Sequence, residues 1–326
     1  MNRRDLVLAL LAIGSAPFAV RAQDARPVPR IGFLSSSSAD RDKRFLAIFQ
    51  DRLRELGYAE GKNVFTEQRY ADGKFQNLPG LVAELLALKV DILVVAGAPA
   101  AYAAKKATST VPIVMTNAAD PVGNGLVASL ARPGGNLTGL SDFNASLVTK
   151  LLDLIKEAVP SASRIAVLSN PSNRANPPQV KRLQAIAPAS GIAIVSYEAA
   201  SVAEMERAFA AMTAANLKAL IVLGDPLLGA DPAKITTFAR RNRLPTMFAS
   251  SRPVELGGLM SYGTNFEDLY RGAAGYVDRI LKGARPADLP VEQPTKLELV
   301  VNLTAARELG LKIPQSILLR ADRIID

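Results

Sequence analysis

Small polar and charged side chains follow a series of short apolar runs in this sequence. The carboxylates of Asp120 and Asp225 suit a ligand amino group, and the Arg252 guanidinium suits a ligand acid through paired hydrogen bonds. Serine and asparagine side chains add neutral donors and acceptors, and Tyr262 adds a ring for stacking. This combination predicts a site for a small polar molecule. The candidate contact residues are Ser36, Ser37, Ala98, Pro99, Asn117, Asp120, Asn170, Asn173, Asp225, Ser251, Arg252 and Tyr262.

The same residue types also have a purely structural interpretation. Serine, asparagine and aspartate after a strand are common turn and helix-cap residues. The pairs that Asp120, Asn170 and Asp225 each form with a following proline would also start a turn. Tyr262 would equally serve in core or hinge packing. What favours a ligand site is that these residues recur at matching points in the two halves of the chain.

The composition excludes several kinds of catalysis. The chain contains no histidine and no cysteine, so serine–histidine triads, cysteine nucleophiles and metal sites built on these residues are impossible. A carboxylate-only site, as in a glycosidase or a magnesium enzyme, stays open, but no pair of acids stands in a recognisable motif. The glycine-rich nucleotide-binding motifs are absent. We therefore expect a protein that is not an enzyme and that needs no cofactor or metal.

Short β-rich runs alternate with helical stretches along the chain. Residues 30–34 read as a strand, and Phe45, Phe49 and Leu53 then recur at the spacing of one helix face. Strands separated by helices form βαβ units, which require a parallel sheet with helices on both faces. In such sheets ligands bind beyond the carboxyl ends of the strands, and this is where the candidate residues stand.

The second half of the sequence repeats the first. Three apolar segments recur in the same order and at nearly the same spacing, so chance similarity is a poor explanation. The pairs are 30–35 with 164–169, 92–99 with 219–226, and 111–115 with 244–248. The repeat predicts an α/β protein with two doubly wound parallel-sheet lobes joined by a hinge.

Glycine-rich and proline-rich segments set the predicted limits of the lobes. The first lobe is expected to span residues 23–142 with a returning segment at 264–290. The second is expected to span 143–263 with a C-terminal segment at 291–326. Several crossings between lobes form a hinge that swings them while their interiors stay rigid.

The N-terminus has the parts of a secretory signal peptide. Arg3 and Arg4 precede an apolar run from residue 6 to residue 20, and a small-x-small exit ends at Ala22. The run is too short to span a bilayer stably, since spanning takes about 20 residues. Residues 1–22 are therefore predicted to be removed after Ala22 and the mature protein to reside in the periplasm. The Sec and twin-arginine routes both stay open.

The formal charge of +9 raises the question of nucleic acid. Basic residues are interspersed with acidic ones, as in residues 51–55, and form no block. Solvated helix faces explain this pattern better than a phosphate-binding surface. We expect a monomer that does not bind nucleic acid.

Several segments resemble a known family. They are residues 30–35, 117–123, 130–139, 257–263 and the tail from 289 to 322. Together they resemble the ABC transporter substrate-binding protein family that includes tryptophan- and tyrosine-binding members. Members often carry a serine or threonine where this chain has Ala98, and a serine where it has Ala119.

The resemblance implies a type I periplasmic binding fold that closes on its ligand. It implies the solute-binding component of an ABC importer, with a membrane permease as partner. The implied ligand is an amino acid, aromatic amino acids included, or a similar small molecule. Two alternatives remain at this point: a periplasmic sensor that feeds a membrane receptor, and a carboxylate-based hydrolase.

Overall fold

The computed structural model describes residues 28–142, 144–294 and 296–326. The predicted signal peptide, residues 1–22, lies outside the described residues. None of the helices in these ranges has the length and apolar character needed to cross a bilayer.

The first sheet has five parallel strands in the order β2-β1-β3-β4-β5. The helices α1, Ala39–Glu55, α2, Leu78–Ala87, and α3, Ala98–Ala107, connect them, with a short 3₁₀ helix at Phe75–Asn77. The Ser38 hydroxyl accepts a hydrogen bond from the Arg41 N–H and so caps α1. The strands are β1, Arg30–Ser35, β2, Phe65–Tyr70, β3, Ile92–Ala96, β4, Ile113–Asn117, and β5, Leu137–Gly139.

The second sheet has seven strands in the order β12-β11-β10-β9-β8-β6-β7. All neighbouring pairs are parallel except β10 with β11. The strands are β6, Arg164–Ser169, β7, Ala193–Glu198, β8, Ala219–Val222, β9, Thr246–Phe248, β10, Met260–Thr264, β11, Leu297–Asn302, and β12, Arg323–Ile325.

The remaining helices are distributed between the two sheets. Helix α9, Phe266–Leu281, packs on α1 and β4 of the first sheet, although it follows a strand of the second. The other helices are α4, Asn144–Ala158, α5, Asn176–Ile186, α6, Val202–Ala214, α7, Pro232–Arg241, α8, Arg252–Glu255, α10, Leu303–Glu308, and α11, Gln315–Leu318. Further 3₁₀ helices lie at Ala187–Ser190 and Pro286–Asp288.

Each sheet is covered by a hydrophobic core on both faces. Phe33 packs with α1 and α9, whereas its neighbour Leu34 packs with α2 and α3 on the opposite face. In the second sheet the neighbouring residues Val167 and Leu168 likewise pack into separate cores on opposite faces. Alternate side chains of a strand point to opposite faces, so strands buried on both sides read as continuous apolar runs. The predicted fold of two doubly wound α/β lobes is confirmed.

The chain passes between the sheets after β5, between β10 and α9, and before β11. Glu292 donates its backbone N–H to the Gly139 carbonyl at 3.0 Å, and Val291 is buried in the core beside α3. These residues therefore still lie against the first sheet. The exact lobe limits given above stay predictions.

Candidate functional site

A cavity lies between the carboxyl ends of the strands of the two sheets, and we call it the inner cavity. The first lobe contributes residues that follow β3 and β4, and the second contributes residues that follow β6, β8 and β9. The empty space is about 740 Å³, part of it open to solvent. Its lining includes Arg41, Gly97, Ala98, Asn117, Ala119, Asp142, Asn173, Ala175, Asp225, Pro226, Gly229, Phe248, Ser250, Pro253 and Phe266.

The predicted contact residues Ser36 and Ser37, which follow β1, are not part of the lining of the inner cavity. The Ser36 hydroxyl accepts a hydrogen bond from the Ala100 N–H at 3.0 Å and so fixes the start of α3. The Ser37 hydroxyl is buried and has no hydrogen-bond partner among the described residues. Ser37 lines a smaller recess together with Asp42.

Asp42 is a buried acid that the sequence did not single out. It lies in the first turn of α1 and accepts a hydrogen bond from the Ser35 hydroxyl. Burial raises the pKa of this carboxyl, while the neighbouring charge of Arg41 and the Ser35 hydrogen bond act to lower it. All five residues from 40 to 44 are charged, a pattern typical of a solvent-exposed helix face, so the sequence does not indicate that Asp42 is buried.

The loops after β3 and β4 place small and amide side chains in the inner cavity. Ala98 and Asn117 both line it, and the Asn117 Oδ1 atom accepts a hydrogen bond from the Thr116 hydroxyl at 2.7 Å. Pro99 does not line the inner cavity but a separate space that it shares with Tyr102 and Arg174. Asp120 is exposed, has a positive φ of 43°, and accepts a hydrogen bond from the Gly123 N–H at 2.9 Å. These contacts of Asp120 are those of a turn residue, the structural alternative to ligand binding.

Asp225 is the centre of a buried network in the second lobe. Its carboxylate accepts hydrogen bonds from Asn170 Nδ2 at 3.2 Å, from Asn173 Nδ2 at 2.9 Å, and from the N–H groups of Leu227 and Leu228. Burial raises the pKa of Asp225, and these hydrogen bonds oppose that effect. Asp225 and Asn173 line the inner cavity, whereas Asn170 is buried beneath them. The network fixes the loop that forms this wall.

Three other predicted contact residues lie outside the inner cavity. Ser251 and Arg252 line a neighbouring space of about 980 Å³, also partly open to solvent, which we call the outer chamber. Tyr262 is half-buried in β10 and packs against the core of the second lobe. The outer chamber is lined by Arg41, Arg44, Phe45, Gly229, Pro232, Ser250, Ser251, Arg252, Pro253, Glu255, Thr264, Asn265, Phe266, Glu267, Glu298 and Arg323.

Arg41 is the residue that sequence reasoning missed most clearly. Arg41 lies in α1 of the first lobe. Its Nη1 atom is 3.3 Å from the Pro226 carbonyl oxygen and 3.5 Å from the Asp225 carbonyl oxygen, both of which belong to the second lobe. It lines both the inner cavity and the outer chamber. At the other end of the cleft, the Arg174 guanidinium lies 4.9 Å from the ring centre of Tyr102. The two lobes are therefore in direct contact on both sides of the inner cavity.

The described residues include no group of three or more acidic side chains placed to hold a metal ion. The site offers a space between two lobes, with apolar walls, the amide groups of Asn117 and Asn173, the carboxyl groups of Asp142 and Asp225, and the guanidinium group of Arg41. Two parallel-sheet lobes that face each other across such a space define a binding protein of the periplasmic type, with a type I-like fold.

The chain belongs to the family of ABC transporter substrate binding proteins, whose profile matches residues 33–325. A curated relative, the tyrosine-binding protein of Clostridioides difficile (strain R20291), is 28% identical over 264 residues, which cover 81% of this chain and 76% of the relative. The predicted family membership is confirmed.

Two solved structures show the same architecture at different degrees of similarity. One is a domain from Streptococcus pneumoniae in complex with L-Trp, with a TM-score of 0.84 and 29% identity over 91% of this chain and 99% of the other. The second is a substrate-binding protein with adhesive properties from Clostridium difficile, in a ligand-free, open structure. Its TM-score is 0.65, and it is 27% identical over 91% of this chain and 99% of the other.

Proposed function

We propose that this chain is the periplasmic solute-binding component of an ABC importer, and that it captures an amino acid or a similar small molecule in the inner cavity. The observation that carries the proposal is the inner cavity itself, which residues of both lobes line at the carboxyl ends of their strands. A solute held there touches both lobes at once.

Capture by closure of the lobes is the mechanism we propose. Arg41 and Arg174 each reach across the cleft in this structure, and such contacts require the lobes to be close together. Similar sequence identities accompany a TM-score of 0.84 to the L-Trp complex and 0.65 to the open, ligand-free protein. This difference supports a closed conformation here. A solute favours that conformation because it binds both lobes only when they are closed.

The contacts that we assign to the solute are those of the inner cavity. The walls formed by Ala98, Ala119 and Phe248 suit an apolar or aromatic part. Asn117 and Asn173 offer amide donors and acceptors to polar groups. Asp225 is fully engaged by its hydrogen-bond network, so we assign it to the wall rather than to a solute amine.

The mature protein lends itself to a direct binding test. The chain contains no tryptophan, so the fluorescence of added L-tryptophan reports binding without a tryptophan background from the protein. Thermal unfolding with L-tyrosine, other amino acids and small metabolites extends the search, because binding to the native state alone raises stability by about 2.7 kcal/mol at a hundredfold excess over Kd.

A cavity-filling variant provides the control for location. Ala119→Leu adds a bulky side chain to the lining of the inner cavity, whereas Ala47→Leu adds the same group to the exposed face of α1. We expect A119L to abolish solute binding and A47L to leave it unchanged. Binding that survives A119L would place the site elsewhere, and no stabilisation by any compound would contradict solute capture.

A further inference from the structure

We infer that the recess lined by Ser37 and Asp42 is a subsite for one uncharged hydroxyl group of the solute, which these two side chains bind together. The inference rests on the proposed function, because it assigns one end of the captured solute. It makes Ser37 a specificity-determining residue.

The recess adjoins the inner cavity. The residues that line both spaces are Arg41, Gly97, Asn117, Pro226 and Phe266. The empty space of the recess is about 320 Å³, less than half of the about 740 Å³ of the inner cavity, and both are partly open to solvent. One end of a solute can therefore enter the recess while the rest of it stays between the lobes.

The Ser37 hydroxyl is the group that points to a ligand. Ser37 is only 5% exposed, and its hydroxyl oxygen is buried without a hydrogen-bond partner among the described residues. The neighbouring Ser35 hydroxyl is engaged in both directions, since it accepts from the Ser37 N–H at 2.9 Å and donates to Asp42. Leaving a buried hydroxyl without a partner is unfavourable. Ser37 therefore keeps a donor and an acceptor unused at the edge of the solute site.

Asp42 supplies the second contact. Its Oδ2 atom accepts the hydrogen bond from Ser35, whereas its Oδ1 atom accepts none from any residue that the structure describes. A hydroxyl group donates one hydrogen bond and accepts others. A solute hydroxyl in the recess can therefore donate to Asp42 and accept from Ser37.

The charges around the recess favour a neutral group. Arg41 lines the recess and its charge acts on the Asp42 carboxyl, so a solute ammonium group would meet a cation already in place. Burial raises the pKa of the Asp42 carboxyl, which shows that the recess disfavours negative charge. A solute carboxylate would add a second negative group beside it. A hydroxyl group avoids both conflicts.

Aromatic rings complete the walls of the recess. Phe45 stacks on Tyr270 with ring centres 5.2 Å apart, and the ring centre of Phe266 lies 6.0 Å from that of Phe45. All three residues line the recess. The recess therefore fits a single hydroxyl at the end of an aromatic or apolar body better than a polyol, whose other hydroxyl groups would face these rings.

The test compares solutes that differ by one hydroxyl group. The probe pairs are L-tyrosine with L-phenylalanine, 5-hydroxy-L-tryptophan with L-tryptophan, tyramine with phenethylamine, and 3-(4-hydroxyphenyl)propionate with 3-phenylpropionate. Calorimetric titration of the mature wild type should show the hydroxylated member of at least one pair binding roughly tenfold tighter or more, as expected for two hydrogen bonds. Any other compound that the binding screen identifies is compared with its analogue that carries hydrogen in place of the hydroxyl.

Substitution of Ser37 then locates the preference. Ser37→Ala should weaken binding of the hydroxylated member roughly fivefold to tenfold and leave its partner unchanged. Because the Ser37 hydroxyl has no partner in the solute-free protein, S37A should be at least as stable as wild type in denaturant unfolding. Ser109→Ala, which removes an exposed hydroxyl outside both spaces, should leave the preference intact.

The outcomes separate this inference from the proposed function. Equal binding within every pair that binds, or a preference that S37A does not reduce, overturns the inference and leaves solute capture in place. An equal loss for both members in S37A assigns Ser37 a structural role and overturns it too, as does a screen in which only compounds without a hydroxyl group bind. If no compound binds, the proposed function fails with it.

Discussion

Gly229 is a position where an added methyl group should weaken closure without disturbing either lobe. A Cβ atom at this glycine would lie 2.3 Å from Nη1 and 2.7 Å from Cζ of Arg41, which belongs to the opposite lobe. The φ angle of Gly229 is not in the positive region, so alanine fits its backbone. Because alanine also restricts the unfolded chain, we expect the solute-free protein to be as stable as wild type or up to about 1 kcal/mol more stable.

The expected loss on binding follows from what Arg41 gives up when it moves aside. The Gly229→Ala substitution displaces the Arg41 guanidinium. In the wild type, Arg41 Nη1 lies 3.3 Å from the Pro226 carbonyl oxygen and 3.5 Å from the Asp225 carbonyl oxygen. Two long hydrogen bonds of this kind contribute about 1–2 kcal/mol together. A loss of that size weakens solute binding roughly fivefold to thirtyfold.

Calorimetric titration of the solute into matched variants measures this loss. Gly80→Ala is the control, because Gly80 lies in α2 and a Cβ atom added there would have no neighbour within 4 Å; this variant should bind as wild type does. The double variant with Arg41→Ala should bind no more weakly than R41A alone, since both changes remove one contact. Unchanged affinity in G229A, or an equal loss in G80A, would refute the reasoning.

Three further predictions concern groups around the cleft. Asp42→Asn should remove part of the pH dependence of the free energy of unfolding. Burial raises the folded-state pKa of the Asp42 carboxyl above its ordinary value of 3.8. The stability that the protonated carboxyl contributes is therefore fully present below pH 3.8 and is lost as the pH rises through the folded-state pKa. Denaturant unfolding between pH 3 and pH 7 measures this, and a slope unchanged in D42N would count against it. Asp225→Asn should lower the free energy of unfolding by about 2–3 kcal/mol, because an amide cannot accept all the hydrogen bonds that this buried carboxylate accepts; urea titration at neutral pH checks it, and a loss below about 0.5 kcal/mol would be inconsistent. Arg174→Ala should weaken solute binding roughly twofold to fivefold, since it removes the cation–π contact with Tyr102 across the cleft, and calorimetry showing wild-type affinity would argue against that contact as part of closure.

The sequence predicted the fold well because hydrophobic patterning specifies it directly. The runs at 30–35 and 164–169 are buried on both faces in β1 and β6, and the repeat between them reflects two equivalent parallel sheets. The antiparallel pairing of β10 with β11 was not predicted, because an apolar run does not record the direction of its neighbour.

The candidate site was less accessible to sequence reasoning. Of the residues that the rule of ligand binding after strands selects, Ala98, Asn117 and Asn173 line the inner cavity, and their contact with a solute stays a prediction. The same rule also selects Asp120, which follows β4 but forms a turn through its hydrogen bond with the Gly123 N–H. The sequence around Arg41 does not indicate its position in the cleft, because that position depends on the contact of α1 with the second lobe.

The absence of cysteine allows one measurement to test capture by closure directly. Cysteines introduced at Lys106 in α3 and Lys181 in α5, both exposed and on opposite lobes, carry a pair of spin labels whose separation is measured by pulsed electron paramagnetic resonance. We predict a broad, longer distance distribution in the solute-free protein that collapses to a single shorter distance on saturation with the solute that the binding screen identifies. The same distribution with and without a bound solute would contradict closure of the lobes as the mechanism of capture.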